Sequence, residues 1–258
     1  MTAKPGRLRL DRLLVDRGLA ESRTRAEALI LAGRVRVAGH ETVKPGTAVP
    51  PDAEVAVSSP EHPWVSRGGV KLEAALEAFG IDPDGKVCLD VGASTGGFTD
   101  VLLARGAAKV YAVDVGYGQL HAKLRGDPRV VLREKVNARA LSAAEVPEPV
   151  ALLVADVSFI SLALILPAAA PLLRPGGEAV LLVKPQFEAE RGEVGKGGIV
   201  RDEAVRGRAV ARVVAAAEAQ GLVLLGVVPS PITGADGNVE FLAAFRAGSG
   251  PNRAKVGA

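Results

Sequence analysis

Apolar positions along the chain change their period twice. In L-R-L-D-R-L-L-V-D-R-G-L, residues 8–19, Leu10, Leu13 and Leu14 recur at helical spacing and Gly18 marks a stop. Ser22 is the expected N-cap of a second helix with Ala26, Leu29 and Ile30 on one face and Gly33 closing it. R-V-R-V at 34–37 then alternates strictly, Val35 and Val37 facing inward and Arg34 and Arg36 outward. Turns at Gly39 and Pro45-Gly46 lead to V-P-P-D-A-E-V-A-V, which ends in another short strand. The pattern predicts two helices followed by a small β-meander, an α+β unit over residues 6–59.

Residues 60–66 read as a linker, and a second domain is expected over 67–247, followed by a flexible tail at 248–258. From Gly85 short apolar runs alternate with helical patterns. K-V-C-L-D-V, K-V-Y-A-V-D-V, R-V-V-L, V-A-L-L-V-A-D and E-A-V-L-L-V-K read as strands. Helices are expected over Thr95–Arg105, 159–173 and 202–220, and two final strands over 222–228 and 239–245. Such alternation indicates an α/β domain with a parallel, doubly wound sheet. The last two strands are joined by P-S-P-I-T-G-A-D-G-N with no helix between them, which predicts a terminal antiparallel hairpin.

Composition narrows the class. The 258 residues are 48% hydrophobic and 24% charged, which suits a globular protein with one large and one small domain. Ala, Val and Leu supply most of the apolar positions, as helices stacked on buried parallel strands require. Cys88 is the single cysteine, so there is no intrachain disulfide and no Cys-based zinc cage; a reducing cytoplasm is expected. The N-terminus has no signal-peptide pattern. The apolar run Phe159–Leu173 is shorter than the ~20 residues of a membrane span and is interrupted by Pro167 and Pro171. Neither a membrane nor a metal is therefore expected as a partner. Residues 1–71 carry 12 Lys/Arg against 8 Asp/Glu, and the remainder 20 against 21. The basic excess lies wholly in the first quarter, which suits phosphate contacts or a solvated charged face.

D-V-G-A-S-T-G-G-F-T, residues 90–99, follows the first strand of the larger domain and opens a helix. Glycines there let the backbone approach a ligand. No Lys follows Gly97, so this is no phosphate loop, and Ala93 and Ser94 break the dinucleotide pattern. Asp90 would repel a pyrophosphate and suits the ammonium of a methionine moiety. Asp114, ending the second strand, can accept hydrogen bonds from both ribose hydroxyls of an adenosine. With the terminal hairpin, these features predict a class I, Rossmann-like methyltransferase sheet and S-adenosylmethionine as cofactor. Its candidate contacts are Asp90, Gly92, Ser94, Thr95, Gly96, Gly97, Phe98, Asp114, Asn137 and Asp156. Phe98 also reads as a packing residue, and Asn137 is assigned to adenine. Trp64 reads as packing between domains rather than base stacking.

Lys71, Asp156, Lys184 and Glu240 are the candidate catalytic set, expected at loop–strand junctions. A ribose 2′-hydroxyl is a poor nucleophile until its proton is removed or its developing charge is offset. A lysine between carboxylates can do either, and the sequence leaves both open for Lys184.

Two resemblances sharpen this reading. L-D-R-L-L-V-D-R-G-L-A-E-S-R-T-R-A-E-A-L-I-L-A-G-R-V-R-V-A-G with Lys44-Pro45 resembles the S4-type RNA-binding domain, which implies RNA contacts at Arg23, Arg25, Arg34, Arg36 and Lys44. With that front domain, V-S-R-G-G-V-K-L, V-C-L-D-V-G-A-S-T-G-G-F-T-D, D-V-S-F-I-S-L, L-V-K-P-Q-F-E, V-G-K-G-G-I-V-R-D and G-N-V-E-F-L make nearly the whole chain, residues 8 to about 245, similar to the TlyA family. Its catalytic half resembles the FtsJ-type enzymes with their Lys-Asp-Lys-Glu tetrad. That resemblance implies 2′-O-methylation of cytidine in ribosomal RNA, with ribosomal subunits as partner. Arg67, and Lys196 and Arg201 in the Gly-rich stretch 191–202, are further candidate RNA contacts.

Three other readings fit less well. A pseudouridine synthase would not need the Gly-rich turn. A base methylase would need Cys88 as nucleophile, but Cys88 sits inside a strand. A pore-forming cytolysin lacks a membrane-inserting pattern.

Overall fold

The computed structural model describes residues 6–20, 22–31, 35–40, 43–57, 62–234 and 237–248. The chain divides into two compact units, Met1–Pro63 and Trp64–Ala258. Of the expected tail at 248–258, residues 249–258 lie outside the described residues, as do Gly33 and Arg34.

In the first unit, β1 (Leu8–Arg9) leads into α1 (Leu10–Asp16), followed by α2 (Arg23–Leu31), β2 (Val35–Val37), β3 (Ala48–Val49) and β4 (Val55–Val57). The strands do not form the expected meander. β1 pairs with β3 and β2 with β4, each antiparallel, as two separate two-stranded sheets. A strand at residues 8–9 was not expected from a pattern that reads as continuous helix. Leu10, Leu13, Leu14, Ala26, Ile30, Val35, Val37 and Val49 form the core, as the alternation in β2 and the spacing in α1 require.

The second unit runs α3 (Gly68–Phe79), β5 (Val87–Val91), α4 (Gly97–Ala104), β6 (Lys109–Val113), α5 (Ala122–Arg125), β7 (Val130–Arg133), β8 (Val150–Ala155), α6 (Leu162–Ala169), β9 (Leu173–Val183), α7 (Pro185–Glu188), α8 (Glu203–Glu218), β10 (Leu222–Pro229) and β11 (Phe241–Ala247). Its seven strands are ordered β10-β11-β9-β8-β5-β6-β7. β5 to β9 are parallel, while β11 is antiparallel to both β9 and β10. This is the doubly wound sheet with a terminal hairpin that the pattern predicts.

Strand alternation sends Leu89, Val91, Leu153 and Ala155 toward α6 and α8. Cys88, Val110, Leu152 and Val154 pack toward α3 and α4. Cys88 is buried, and burial pushes its thiol up to about 12, which excludes it as a nucleophile near neutral pH.

Two expectations are corrected here. The helix expected over 159–173 spans only Leu162–Ala169, because a 3₁₀ turn carrying Pro171 follows it. Helix α3 had not been assigned, although Leu72, Ala75, Leu76 and Phe79 recur at helical spacing before Gly80. Its Gly-Gly start disguised it as a loop. Among the described residues no helix is long and apolar enough to cross a membrane.

Candidate active site

Every parallel strand ends at the same edge of the sheet, and the loops there build the site. Asp156 follows β8 and Lys184 follows β9. Glu240 immediately precedes β11, whose antiparallel direction brings it back to that edge. Lys71 is not at a strand junction as expected; it sits in the first turn of α3.

The structure brings these four residues together as two pairs. Lys184 Nζ lies 2.6 Å from Asp156 Oδ1, outside hydrogen-bonding direction, and donates to Ser158 Oγ at 2.8 Å. Lys71 Nζ donates to Glu240 Oε2, and both side chains are buried. A paired buried charge costs several kcal/mol less than an orphaned one, so each carboxylate holds its lysine in place.

Glu188 locks the loop after β8 to the strand end carrying Lys184. Its buried carboxylate accepts from Ser161 Oγ and from Leu162 N, the latter at 2.7 Å. Burial raises its pKa against the pull of those two hydrogen bonds. The pattern reading missed Glu188, because nothing in the local sequence shows what lies across the loop.

Three adjoining chambers open at this edge. One is lined by Ser66, Gly68, Lys71, Gly92–Thr95, Gly97, Phe98, Asp156, Ser158 and Lys184. A second, mostly apolar, shares Gly92 and Ser158 with it and adds Asp114, Val115, Asn137, Val157 and Ile160. A third, of about 390 Å³, shares Lys71, Ser158 and Lys184 with the first and adds Phe159, Gln186, Phe187, Gly198 and Glu240. Lys184 and Ser158 therefore stand in the wall between a cleft over the Gly-rich turn and a separate pocket.

The Gly-rich turn is shaped by close approach. Gly92 has φ +85, and a Cβ there would lie 2.3 Å from the backbone oxygen of Asp156. A Cβ at Gly97 would lie 2.2 Å from Ser66 Oγ, and one at Gly96, φ +100, 2.2 Å from Leu124. Ser94 and Thr95 are exposed on the turn, and Ser94 takes φ 48. Asp114 accepts from Ser94 N at 2.7 Å and from Gly116 N at 2.6 Å, so its carboxylate braces the turn. Asn137 caps the 3₁₀ turn after β7 by accepting from Arg139 N at 3.0 Å. Phe98 is buried, in keeping with packing.

Asp90 departs from the placement expected. It lies inside β5 on the face toward α4, fully buried beneath the turn, where Thr99 Oγ1 donates to its Oδ2 at 2.7 Å. Its Oδ1 has no hydrogen-bond partner among the described residues. Burial pushes its pKa up to about 7, opposed by Thr99 and reinforced by the charge of Asp156 and Asp114. The folded protein then binds a proton that the unfolded chain releases, so stability falls as pH rises from about 4 to about 7. Asp90→Asn is expected to flatten that dependence. Its stability relative to wild type should rise between pH 5 and pH 8 by on the order of 2–4 kcal/mol in urea unfolding. A difference that stays constant with pH would show that Asp90 does not titrate in this window.

Trp64 makes packing contacts within the second unit. Its ring lies against Gly69, where a Cβ would come within 2.3 Å of it, and Nε1 donates to Glu73 at 3.0 Å.

The basic candidates fare differently. In the first unit Arg23 is engaged with Asp11 at 3.1 Å and Glu27 at 3.6 Å. Arg9 and then Arg23, beside the buried Asp11, hold its carboxyl down at about 2. Arg23 thus joins α2 to α1 as well as facing solvent. Arg36 and Lys44 are exposed. Arg34 and the side chain of Arg25 lie outside the described residues. In the second unit Lys196 and Arg201 are exposed, and Arg67, also exposed, donates to Thr233 O at 2.8 Å.

One exposed residue escaped the sequence reading. Phe159 follows Ser158, has φ +66, is 91% exposed and meets Phe187 with ring centroids 5.2 Å apart. A bulky side chain at positive φ is strained, and such strain gathers at functional sites.

Comparison with known proteins follows the same division. Residues 64–247 match the model of FtsJ-like methyltransferases, and residues 8–55 that of the S4 domain. The 16S/23S rRNA (cytidine-2′-O)-methyltransferase TlyA of Mycobacterium tuberculosis is 53% identical over 91% of this chain and 88% of its own. Hemolysin A of Brachyspira hyodysenteriae is 44% identical over 92% of this chain and 99% of its own. The solved structure of a hemolysin candidate from Streptococcus thermophilus superposes with a TM-score of 0.74 at 42% identity, over 96% of this chain and 91% of that one.

Proposed function

The chain belongs to the TlyA family of FtsJ-like methyltransferases, and from that premise we propose that it methylates the ribose 2′-hydroxyl of a cytidine in ribosomal RNA, with S-adenosylmethionine as donor. The observation that carries this reading is the Lys184–Asp156 pair, standing in the wall between the Gly-rich cleft and the pocket that also holds Lys71 and Glu240.

The cleft suits a nucleoside joined to an amino acid. The chamber beside Asp114 is lined by Val113, Val115, Val136, Ala138, Val157 and Ile160, with Asn137 and no lysine or arginine. That set accepts an uncharged purine and a ribose and offers nothing to a phosphate. The orphaned Asp90 Oδ1 beneath the turn favours a cationic group above it. S-adenosylmethionine, when bound, supplies a methyl group attached to a positively charged sulfur.

The chain's own residues do the rest. Lys184, held by Asp156 and Ser158, offsets negative charge on the 2′-oxygen as the hydroxyl proton passes to solvent water. Lys71, anchored by Glu240, adds positive potential on the other side of the acceptor pocket. Phe159 offers an exposed ring on which the target base can stack. Arg36 and Lys44 of the S4 unit, with Arg67, Lys196 and Arg201, supply phosphate contacts.

The test is transfer of tritiated methyl from S-adenosylmethionine to purified ribosomal subunits, followed by mapping of the labelled nucleotide. Label on a cytidine ribose is the expected result. No label in either subunit, free or assembled, would overturn the reading.

A further inference from the structure

The Gly-rich stretch between α7 and α8 supplies part of the acceptor-pocket wall through Val194 and Gly198. Its stem is tied to α8, where Arg208 meets Glu193 and Arg212 lies 3.5 Å from Glu190. Its tip closes on itself, Gly195 N donating to Ile199 O at 3.2 Å and Gly198 N to Gly195 O at 3.1 Å. Packing does not fix that tip. Gly197 and Gly198 take φ +80 and +74, and a Cβ at either would meet nothing within 4 Å. Asn238 joins it to the rest of the site. This side chain is 1% exposed; its Oδ1 accepts from Val200 N at 2.9 Å and its Nδ2 donates to Gly198 O at 2.9 Å. One carboxamide thus satisfies a backbone donor and a backbone acceptor, as a neighbouring strand would. Two residues further along, Glu240 holds Lys71 on the same pocket.

We propose that Asn238 is a positioning residue that holds the Gly-rich tip as a preformed wall of the acceptor pocket and so sets Lys196 against a phosphate of the bound RNA; this rests on the ribosomal RNA methyltransferase reading above. Lys196 is exposed and lies between Val194 and Gly198, the two residues of the stretch that line the pocket. With the tip tied down, the entropy of ordering it is lost on folding and not when RNA binds. Released, the tip would have to be ordered by the RNA itself, and the Lys196 ammonium would spread over many positions. Asn238 is neutral and buried, so it acts on RNA only through the segment it holds. Neither chamber over the Gly-rich turn at 92–97 is lined by residues 191–202, so the cofactor should not sense the tie.

The experiment compares Asn238→Ala and Asn238→Leu with the full-length wild type on the ribosomal subunits that the wild type methylates. Both variants should raise KM for RNA about tenfold, while kcat and S-adenosylmethionine affinity change by less than about threefold. The decisive readout is salt. Loss of one phosphate contact should flatten the slope of log KM against log salt by roughly 0.7–0.9, although the residue replaced carries no charge. Lys196→Ala should flatten it equally, and adding Asn238→Ala to Lys196→Ala should flatten it no further. Trypsin should also cut after Lys196 about tenfold faster in the variants than in the wild type, because the tip opens locally. An unchanged slope or unchanged cleavage would show that Asn238 does not set Lys196. Variants that lose cofactor binding together with RNA would make it a general structural residue. Each of these outcomes overturns the proposal. A wild type that methylates no ribosomal RNA would sink the broader function, and the cleavage rates would still judge the tie.

Discussion

Lys184→Ala is expected to lower methyl transfer roughly a thousandfold while changing S-adenosylmethionine affinity by less than about threefold. The reason lies in its position. Lys184 Nζ stands between Asp156 and Ser158 in the wall shared by the two chambers, so in the proposed reaction its charge meets the acceptor oxygen. Removing it leaves the 2′-oxygen with only the more distant help of Lys71 as its proton passes to water. Asp156 loses its partner, but its side chain is 22% exposed, so water can replace part of the lost interaction and the fold should survive. Lys184→Arg should not restore the rate, because a planar guanidinium cannot occupy the position of a compact ammonium. Single-turnover transfer with calorimetry of the cofactor decides the matter. A fully active variant would remove Lys184 from the chemistry, and equal losses of binding and rate would move its role to the cofactor.

Gly92→Ala carries the second large effect, and it acts on the other side of the site. The residue has φ +85, and its Cβ would lie 2.3 Å from Asp156 O, a backbone atom at the end of β8. Neither strand end can move cheaply, since β5 and β8 are paired along Cys88–Val91 and Leu152–Ala155. The expected cost is about 2–4 kcal/mol of stability, from the left-handed conformation and the collision together. Cofactor affinity should fall roughly a hundredfold or more as the turn is displaced. Gly118→Ala separates the two causes, because Gly118 has φ +71 but a Cβ there meets nothing within 4 Å. It should cost only about 1–2 kcal/mol and leave cofactor binding nearly intact. Equal penalties at both positions would show that close approach at Gly92 contributes nothing.

These two positions also mark how far local sequence could be read. Gly92 stood out because a glycine after an apolar strand and before a helix has few uses other than close approach. Asp90 stood out in the same way, yet its surroundings were misjudged. Strand alternation sends it to the α4 face, where Thr99 and not solvent meets it. Lys71 was identified by type and motif but misplaced, because the paired glycines at 68–69 resemble a loop. Phe159, Gln186 and Glu188 carried no signal of their own. An exposed aromatic, a free amide and a buried carboxylate are unremarkable until the chain brings Ser161 and Leu162 back against α7.

By itself the sequence determined the parallel sheet with its terminal hairpin, most of its helices and the S4-like front unit, though not β1, α3 or the strand pairing of that unit, because periodicity, turn chemistry and short motifs act over a few neighbouring residues. Only the tertiary structure decided that Lys184 pairs with Asp156 and Lys71 with Glu240, positions 28 and 169 residues apart in the chain. It alone decided that Asp90 is sealed beneath the turn and that Gln186 Oε1 is buried without a hydrogen-bond partner among the described residues. Ion pairing, desolvation and hydrogen-bond satisfaction depend on which distant side chains share a volume, and strand order and packing set that volume.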